Sequence, residues 1–326
     1  MQLTQYLGAT IEVPLILTLR DVRYCSTKDL PKNVILSTTT SYKDMNNTSD
    51  KLRADLAYQM MQKATQQGYK VVVVDAKSDD GWRSKVRELN GVIFIDEDLS
   101  KYRGESFIGK SRRQCLDVAA NAGSYKVIVW TEPEKHPMIS NELMISDKLI
   151  KVYPLSDFAS VVLAQQADIV VPRRKDNLKS YPLQQQFEEL TGNLTLLDMV
   201  RAYVSETAVI DSANNVPYLD YWVGSRAIGR DSIDAFLQYT GLVNGQKHDR
   251  WESIFNPIVS EVLNGKIVRG VAVDYIHPPE QTLLEAADSS FSRKRIDQLV
   301  SLVAGVDNLL KEHKAGGKEV KVAPFN

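Results

Sequence analysis

Val71-Val72-Val73-Val74-Asp75 decides the fold: four consecutive β-branched residues closed by an acid. A half-exposed strand would alternate polar and apolar residues, so an unbroken run suits a strand covered on both faces, as in a parallel sheet. Upstream, Asn33-Val34-Ile35-Leu36-Ser37 reads as an earlier strand that ends in the polar run Thr38-Thr39-Thr40-Ser41-Tyr42. Downstream, Gly91-Val92-Ile93-Phe94-Ile95 and Lys126-Val127-Ile128-Val129-Trp130 read as two more. Between the strands, Leu52, Leu56 and Met60 repeat at helical spacing over residues 49–67, with Gly68 as the stop, and residues 109–121 have helical composition. Such alternation indicates an α/β protein built on an open, mostly parallel sheet flanked by helices.

The second half is more helical. Ile169-Val170-Val171 is short and strand-like and runs into Pro172-Arg173-Arg174; a long helical stretch then covers residues 183–204. Tyr221-Trp222-Val223-Gly224 and Val268-Arg269-Gly270-Val271-Ala272-Val273 read as isolated strands. Trp251, Ile254, Phe255, Ile258 and Val262 share a helical face, on which Pro257 marks a kink or a start. Leu299, Val303, Val306 and Leu310 place a C-terminal helix on the core. No Pro/Gly-rich linker divides the chain. One compact unit with two lobes is expected: residues 1–135 as a nucleotide-binding half, 136–313 as a helical second half, and 314–326, with Gly316-Gly317 and little to bury, as a mobile tail.

Composition narrows the function classes. The chain has 326 residues, 40 Lys+Arg against 41 Asp+Glu, and 43% apolar residues. These are globular proportions, and the balanced charge gives no reason to expect nucleic acid or an anionic membrane as partner. Apolar runs fall short of the roughly 20 residues that span a bilayer, and residues 1–20 lack the basic-then-apolar order of a signal peptide. Cys25 and Cys115 form neither a disulfide framework nor a four-cysteine zinc site. A soluble, cytoplasmic protein is expected.

In open parallel sheets, ligands bind beyond the carboxyl ends of the strands. Polar clusters stand at those ends: residues 38–44, 75–80, 131–135 and 274–280. Gly109-Lys110-Ser111-Arg112-Arg113 would open a helix whose first amides favour an anion, with Lys110 and Arg113 adding charge for a diphosphate. It reads equally as the solvated basic face of a helix, and it is not a Walker loop, because Gly104 is misplaced. Glu132-Pro133-Glu134 directly follows a buried strand, so both carboxylates can reach one hard ion such as Mg²⁺ or Mn²⁺; the bland alternative is a turn before an acidic helix start. Among His136, His248, His277 and His313, His277 follows a strand and is stiffened by Pro278 and Pro279, which suits a ligand. There is no Gly-x-Ser-x-Gly elbow and no His-Glu-x-x-His. Asp249 and Glu252 stand where a general base would face a sugar hydroxyl, although Asp249 also suits a helix cap. Tyr218, Asp220, Tyr221 and Trp222 form an aromatic, acidic cluster of the kind that stacks on sugars, and Arg173, Arg174, Lys179 and Tyr181 suit either an anionic acceptor or a solvated loop.

In their order along residues 33–277, these clusters resemble the GT-A fold glycosyltransferases, the mannosylglycerate-synthase-like enzymes among them. The resemblance implies that Thr38, Thr39 and Tyr42 hold the nucleobase, that Asp75 lies near base or ribose, and that Gly109-Lys110-Ser111 touches the donor. It places Glu132-Pro133-Glu134 where the family has its Asp-x-Asp metal motif, and His277 where many members supply a histidine to the metal. It also implies acceptor roles for Asp249-Arg250-Trp251-Glu252 and for the Gly224 stretch, with Tyr221 and Trp222. The function so implied is transfer of a sugar from a nucleotide-diphosphate-sugar donor to an acceptor, assisted by Mn²⁺ or Mg²⁺ held by Glu132, Glu134 and His277. Two rivals are a non-catalytic nucleotide- or sugar-binding protein on the same fold and a sugar-phosphate nucleotidyltransferase. Those nucleotidyltransferases usually carry a Gly-rich, basic loop after the first strand, whereas Thr38-Thr39-Thr40-Ser41-Tyr42 has neither glycine nor base.

Overall fold

The computed structural model describes residues 29–145, 148–176, 178–207, 216–318 and 320–323. Residues 1–20 and Cys25, read above for targeting and thiol chemistry, lie outside the described residues.

A single turn, α1 (Leu30–Asn33), leads into β1 (Val34–Thr40), α2 (Thr48–Gln66), β2 (Lys70–Asp75), α3 (Asp80–Arg87), β3 (Val92–Asp96), α4 (Phe107–Asn121) and β4 (Val127–Trp130). The helices start where side chains satisfy their free amides: Asn47 Oδ1 accepts from the Ser49 and Asp50 amides, Asp79 from Trp82, and Ser106 from Gly109. The short α5 (His136–Ile139) precedes a hairpin of β5 (Asn141–Ile145) and β6 (Lys148–Val152), which the sequence reading had not anticipated. Then come α6 (Pro154–Leu163), β7 (Ile169–Arg174), α7 (Leu183–Thr207), β8 (Arg226–Gly229) and α8 (Ile233–Leu237). The two-residue strands β9 (Leu242–Val243) and β10 (Gln246–Lys247) pair with each other. The chain continues through α9 (Asn256–Leu263), β11 (Val268–Val273), α10 (Pro279–Ala287) and α11 (Ser289–Ala315).

Seven strands form the central sheet in the order β3-β2-β1-β4-β8-β7-β11. All neighbours run parallel except β8, which is antiparallel to both β4 and β7. The expected α/β architecture, a mostly parallel open sheet flanked by helices, is the one adopted. Val71–Val74, Val34–Leu36 and Val127–Val129 are fully buried, as their unbroken apolar runs require. The register sets Thr40 beside Asp75 and Ser37 beside Trp130, which brings the carboxyl ends of β1, β2 and β4 to one rim. From β1 the chain steps outward to β2 and β3, then returns to β4 on β1's other side, so a switch point opens between β1 and β4.

Two readings need correction. Tyr221-Trp222-Val223-Gly224 is not a strand: Tyr221–Val223 make one 3₁₀ turn, Gly224 has φ 79°, and pairing begins only at Arg226. The buried Arg226 guanidinium donates to the Tyr221 and Ser225 carbonyls at 2.7 and 2.6 Å, which holds that turn against extension. The 314–326 segment is docked where it is described: Lys321 N donates to Leu263 O at 3.0 Å, and Val320 is buried. Pro257 marks a helix start, standing in the first turn of α9 behind a 3₁₀ turn over Trp251–Ile254. No helix among the described residues is long and apolar enough to cross a membrane.

Candidate functional site

A cavity of 870 Å³ lies at the switch point. Its floor is Thr39–Lys43 at the end of β1, Ala76–Lys77 after β2 and Trp130, Glu132, Pro133 and Glu134 at the end of β4; one wall is the start of α4, and the roof is α10 with the first turns of α11. Six cationic side chains line it, Lys43, Arg53, Lys77, Arg112, Lys294 and Arg295, against five carboxylates, Glu97, Glu132, Glu134, Glu285 and Asp288. A charged, part-buried cleft of this size admits a small ligand with several negative charges.

Each carboxylate at the end of β4 has a cation of its own. Glu134 is 6% exposed; its Oε1 accepts from Tyr42 Oη at 2.9 Å and from Arg53 Nε at 2.9 Å, with Arg53 Nη2 at 2.8 Å. Burial, then the charge of Glu134, holds the Tyr42 hydroxyl well above the usual tyrosine range, so Tyr42 stays a donor. Glu132 pairs with Lys135 at 3.0 Å. Burial pushes its carboxyl up, but the charges of Lys135, Arg295 and Arg112 together outweigh burial and keep it below the usual range, hence ionised at neutral pH. Gly224 makes room for it: a Cβ there would stand 2.5 Å from Glu132 Cδ, and the positive φ disfavours any side chain.

The basic stretch on α4 divides. Arg113 faces inward and grips Asp249 with two parallel bonds, Nη1 to Oδ1 at 2.8 Å and Nη2 to Oδ2 at 2.9 Å, both partners being 2% exposed. Asp249 Oδ2 also accepts from the Glu105 and Ser106 amides at 2.7 and 2.8 Å. The anion at this helix start is therefore the protein's own carboxylate, and glycine at 109 lets it approach, since a Cβ there would lie 2.1 Å from Asp249 Oδ1. This corrects two expectations: both Nη atoms of Arg113 are engaged by Asp249 rather than by a diphosphate, and neither Arg113 nor Asp249 lines the cavity. Lys110 is absent from the cavity wall. Arg112 does line it, between the rings of Trp130 and Trp251, its Cζ 5.6 Å from each centroid. Only its Nη1 is engaged, donating to Arg250 O and Ser253 Oγ at 2.8 and 3.0 Å. Burial pushes its pKa down to about 10, which still leaves it cationic at neutral pH.

The other expected residues fall into three places. Thr39 lines the cavity, but Thr38 is fully buried beneath it. Asp75 is 1% exposed and faces the chain: it accepts from Thr40 Oγ1 at 2.8 Å and the Ser78 amide at 2.9 Å, with Arg83 at 3.3 Å. It fastens the turn that presents Lys77, whose φ is 61°, rather than meeting a ribose itself. Glu252 is 1% exposed, accepting from the Arg250 amide at 3.0 Å and from Ser301 Oγ, so it too is turned away from any acceptor. Arg174 is buried in a network with Asp220 (2.6 and 2.7 Å) and Glu189 (2.7 Å), and Arg173 lies over the Tyr218 ring. Tyr221 and Trp222 are buried with them; none of these four reaches the cavity. His277 sits behind the roof, stacked on Tyr181 at 4.0 Å, with Nε2 donating to Glu285 Oε2 at 3.2 Å. Burial lowers its pKa, so the imidazole is neutral at pH 7.

Glu132, Glu134 and His277 do not assemble as ligands of one ion. One oxygen of each carboxylate is engaged, Glu132 Oε2 by Lys135 and Glu134 Oε1 by Arg53 and Tyr42, His277 Nε2 faces Glu285, and among the described residues no group of three His, Cys, Asp or Glu side chains is placed to hold a metal. The residues present do not fit a resident divalent cation. The sequence reading missed Arg53, Arg112, Lys294 and Arg295, which supply much of the cavity's positive wall. Arg53 lies in the middle of α2 and the last two on α11, far from any strand end where a ligand would be sought. Only Arg112, inside the basic stretch already singled out, carried a local signal.

No family model matches the chain, and no curated protein sequence matches it. Solved structures resemble it in the course of the chain. Glucosyl-3-phosphoglycerate synthase of M. tuberculosis is 12% identical with a TM-score of 0.48, covering 86% of this chain and 85% of that one. A Desulfovibrio desulfuricans protein assigned as a nucleotide-diphospho-sugar transferase is 10% identical with a TM-score of 0.37, covering 84% and 98%. The 4-diphosphocytidyl-2C-methyl-D-erythritol synthase of Anaerococcus prevotii is 9% identical with a TM-score of 0.38, covering 79% and 97%. These are likenesses of fold at very low identity, and the functional reading rests on the residues of the cavity.

Proposed function

We propose that the protein is a glycosyltransferase that takes a nucleoside-diphosphate sugar into the switch-point cavity and passes the sugar to an acceptor hydroxyl. The observation that carries this reading is the cavity's position and charge together: 870 Å³ at the carboxyl ends of β1 and β4, with six cations on its wall. A nucleoside diphosphate carries several negative charges beside a flat base, and an aromatic, cationic cleft suits both. In the transfer, the bond from the anomeric carbon to the diphosphate oxygen breaks with its electron pair going to the phosphate. The acceptor oxygen forms the new bond and gives up its proton. Cations around the departing diphosphate stabilise charge that develops only as that bond breaks, which lowers the barrier rather than merely tightening binding.

Glu132 is our assignment for the proton acceptor in an inverting reaction. It lines the cavity, it is ionised, and its neighbour Gly224 leaves it space, whereas Asp249 and Glu252 are held by other groups. The test is incubation with a panel of nucleoside-diphosphate sugars and small hydroxylated acceptors, scored for nucleoside diphosphate released and glycoside formed. Release above the rate without protein, with one or a few donors, is expected. Formation of a nucleotide-sugar and pyrophosphate from sugar phosphate and nucleoside triphosphate, without glycoside formation, would replace this reading by a nucleotidyltransferase.

A further inference from the structure

Resting on the nucleotide-sugar reading, we propose that the cavity binds and neutralises the donor's diphosphate without a divalent ion, through Arg112 of α4 and Lys294 of α11. Both side chains line the cavity, and among the described residues neither has a carboxylate oxygen within the 4.0 Å of an ion pair. They flank one indole: Arg112 Cζ lies 5.6 Å and Lys294 Nζ 5.3 Å from the Trp251 ring centroid. Arg112 is buried, and holding its charge there without an ion pair is costly; Lys294 is exposed across the Trp251 ring from it, and a polyanion arriving between the two meets both charges. Partial burial lowers the pKa of Lys294, and the neighbouring charges of Arg53 and Arg295 lower it further, against the opposing pull of Glu132 and Glu134.

The carboxylates point the same way. Each carboxylate after β4 answers a protein cation through one oxygen, Glu134 Oε1 to Arg53 and Glu132 Oε2 to Lys135, and among the described residues no third His, Cys, Asp or Glu side chain joins them to complete a metal site. Arg295, whose Nη1 lies 3.3 Å from the buried Glu189, ties α11 to the core and so fixes Lys294 over the cavity.

Isothermal calorimetry on the full chain tests this, with UDP, GDP, CDP and ADP as probes, in EDTA and in Mn²⁺. At least one nucleotide is expected to bind in EDTA with a Kd within about threefold of that in Mn²⁺. Lys294→Gln is expected to weaken that binding at least about tenfold, as loss of a hydrogen bond to a charged group does, and Lys294→Arg to restore most of it. Thermal unfolding of each variant checks that the fold is kept, and Arg112→Gln is the second variant should Lys294→Gln fail to fold. Binding only when Mn²⁺ is present would overturn the metal-free inference and leave the nucleotide-sugar reading standing. Unchanged binding in Lys294→Gln would overturn the role given to that lysine. No binding of any nucleotide in either condition would remove the nucleotide-sugar reading, and this inference with it.

Discussion

Arg112 and Arg113 are consecutive residues on one helix, yet they belong to opposite kinds of place. Behind α4, Arg113 and Asp249 close on each other and on two backbone amides, and no further ligand is needed. In front of α4, Arg112 lies between two indoles, with no carboxylate oxygen within 4.0 Å among the described residues, on the wall of an 870 Å³ cavity. A buried guanidinium and carboxylate that answer each other mark a place that holds the fold; a charge without an ion pair beside open space marks one that awaits a partner. Substitutions behind the helix should therefore be read in stability and those in front in binding and turnover.

The largest expected effect lies in front. Glu132→Gln keeps the shape but removes the proton acceptor, so kcat should fall by about 10²–10⁴-fold, with a smaller loss of stability from the Lys135 charge left unpaired. A loss below about tenfold in steady-state turnover would take that role from Glu132. Behind the helix, Asp249→Asn leaves the Arg113 charge buried and uncompensated, and urea unfolding should show a loss of about 3–5 kcal/mol. If stability holds while turnover vanishes, Asp249 belongs to the chemistry after all. Arg112→Gln should weaken nucleoside-diphosphate binding by about 10–100-fold, with a smaller loss of stability than Asp249→Asn from its bonds to Arg250 O and Ser253 Oγ.

The smallest effect is a control away from both regions. Lys63 Nζ donates to His136 Nδ1 at 2.8 Å, and burial followed by the lysine charge lowers the His136 pKa from 6.5 to about 4. Its neutral form is favoured in the fold, so this stability is complete above pH 6.5 and is lost as pH falls toward 4. Unfolding curves from pH 7 to pH 4 should show that decline, and His136→Asn should flatten it. An unchanged slope in the variant would assign the pH dependence to other groups.

How much the amino-acid order revealed follows the range of the interactions. The runs Val34–Leu36, Val71–Val74 and Val127–Val129 announce doubly covered strands because burial on both faces is written in consecutive residues. Tyr221–Gly224 misled because the same aromatic, β-branched composition is held as a turn by the guanidinium of Arg226, a partner composition does not reveal. At the site, Glu132 and Glu134 were visible as acids after a strand, but their partners were not. Arg53 is 81 positions from Glu134, and Lys294 meets Trp251 only when α11 folds back over the sheet. Asp249 read as a possible base or cap because acids at helix starts serve both purposes, and only the inward turn of Arg113, 136 positions away, decides between them.

A co-crystal structure grown with the nucleoside-diphosphate sugar that shows turnover would test the central claim most directly. The account predicts the diphosphate between Arg112 and Lys294, with the sugar directed toward Glu132. A nucleotide bound outside the switch-point cavity, or a diphosphate seated on Arg113 with Asp249 displaced, would contradict it.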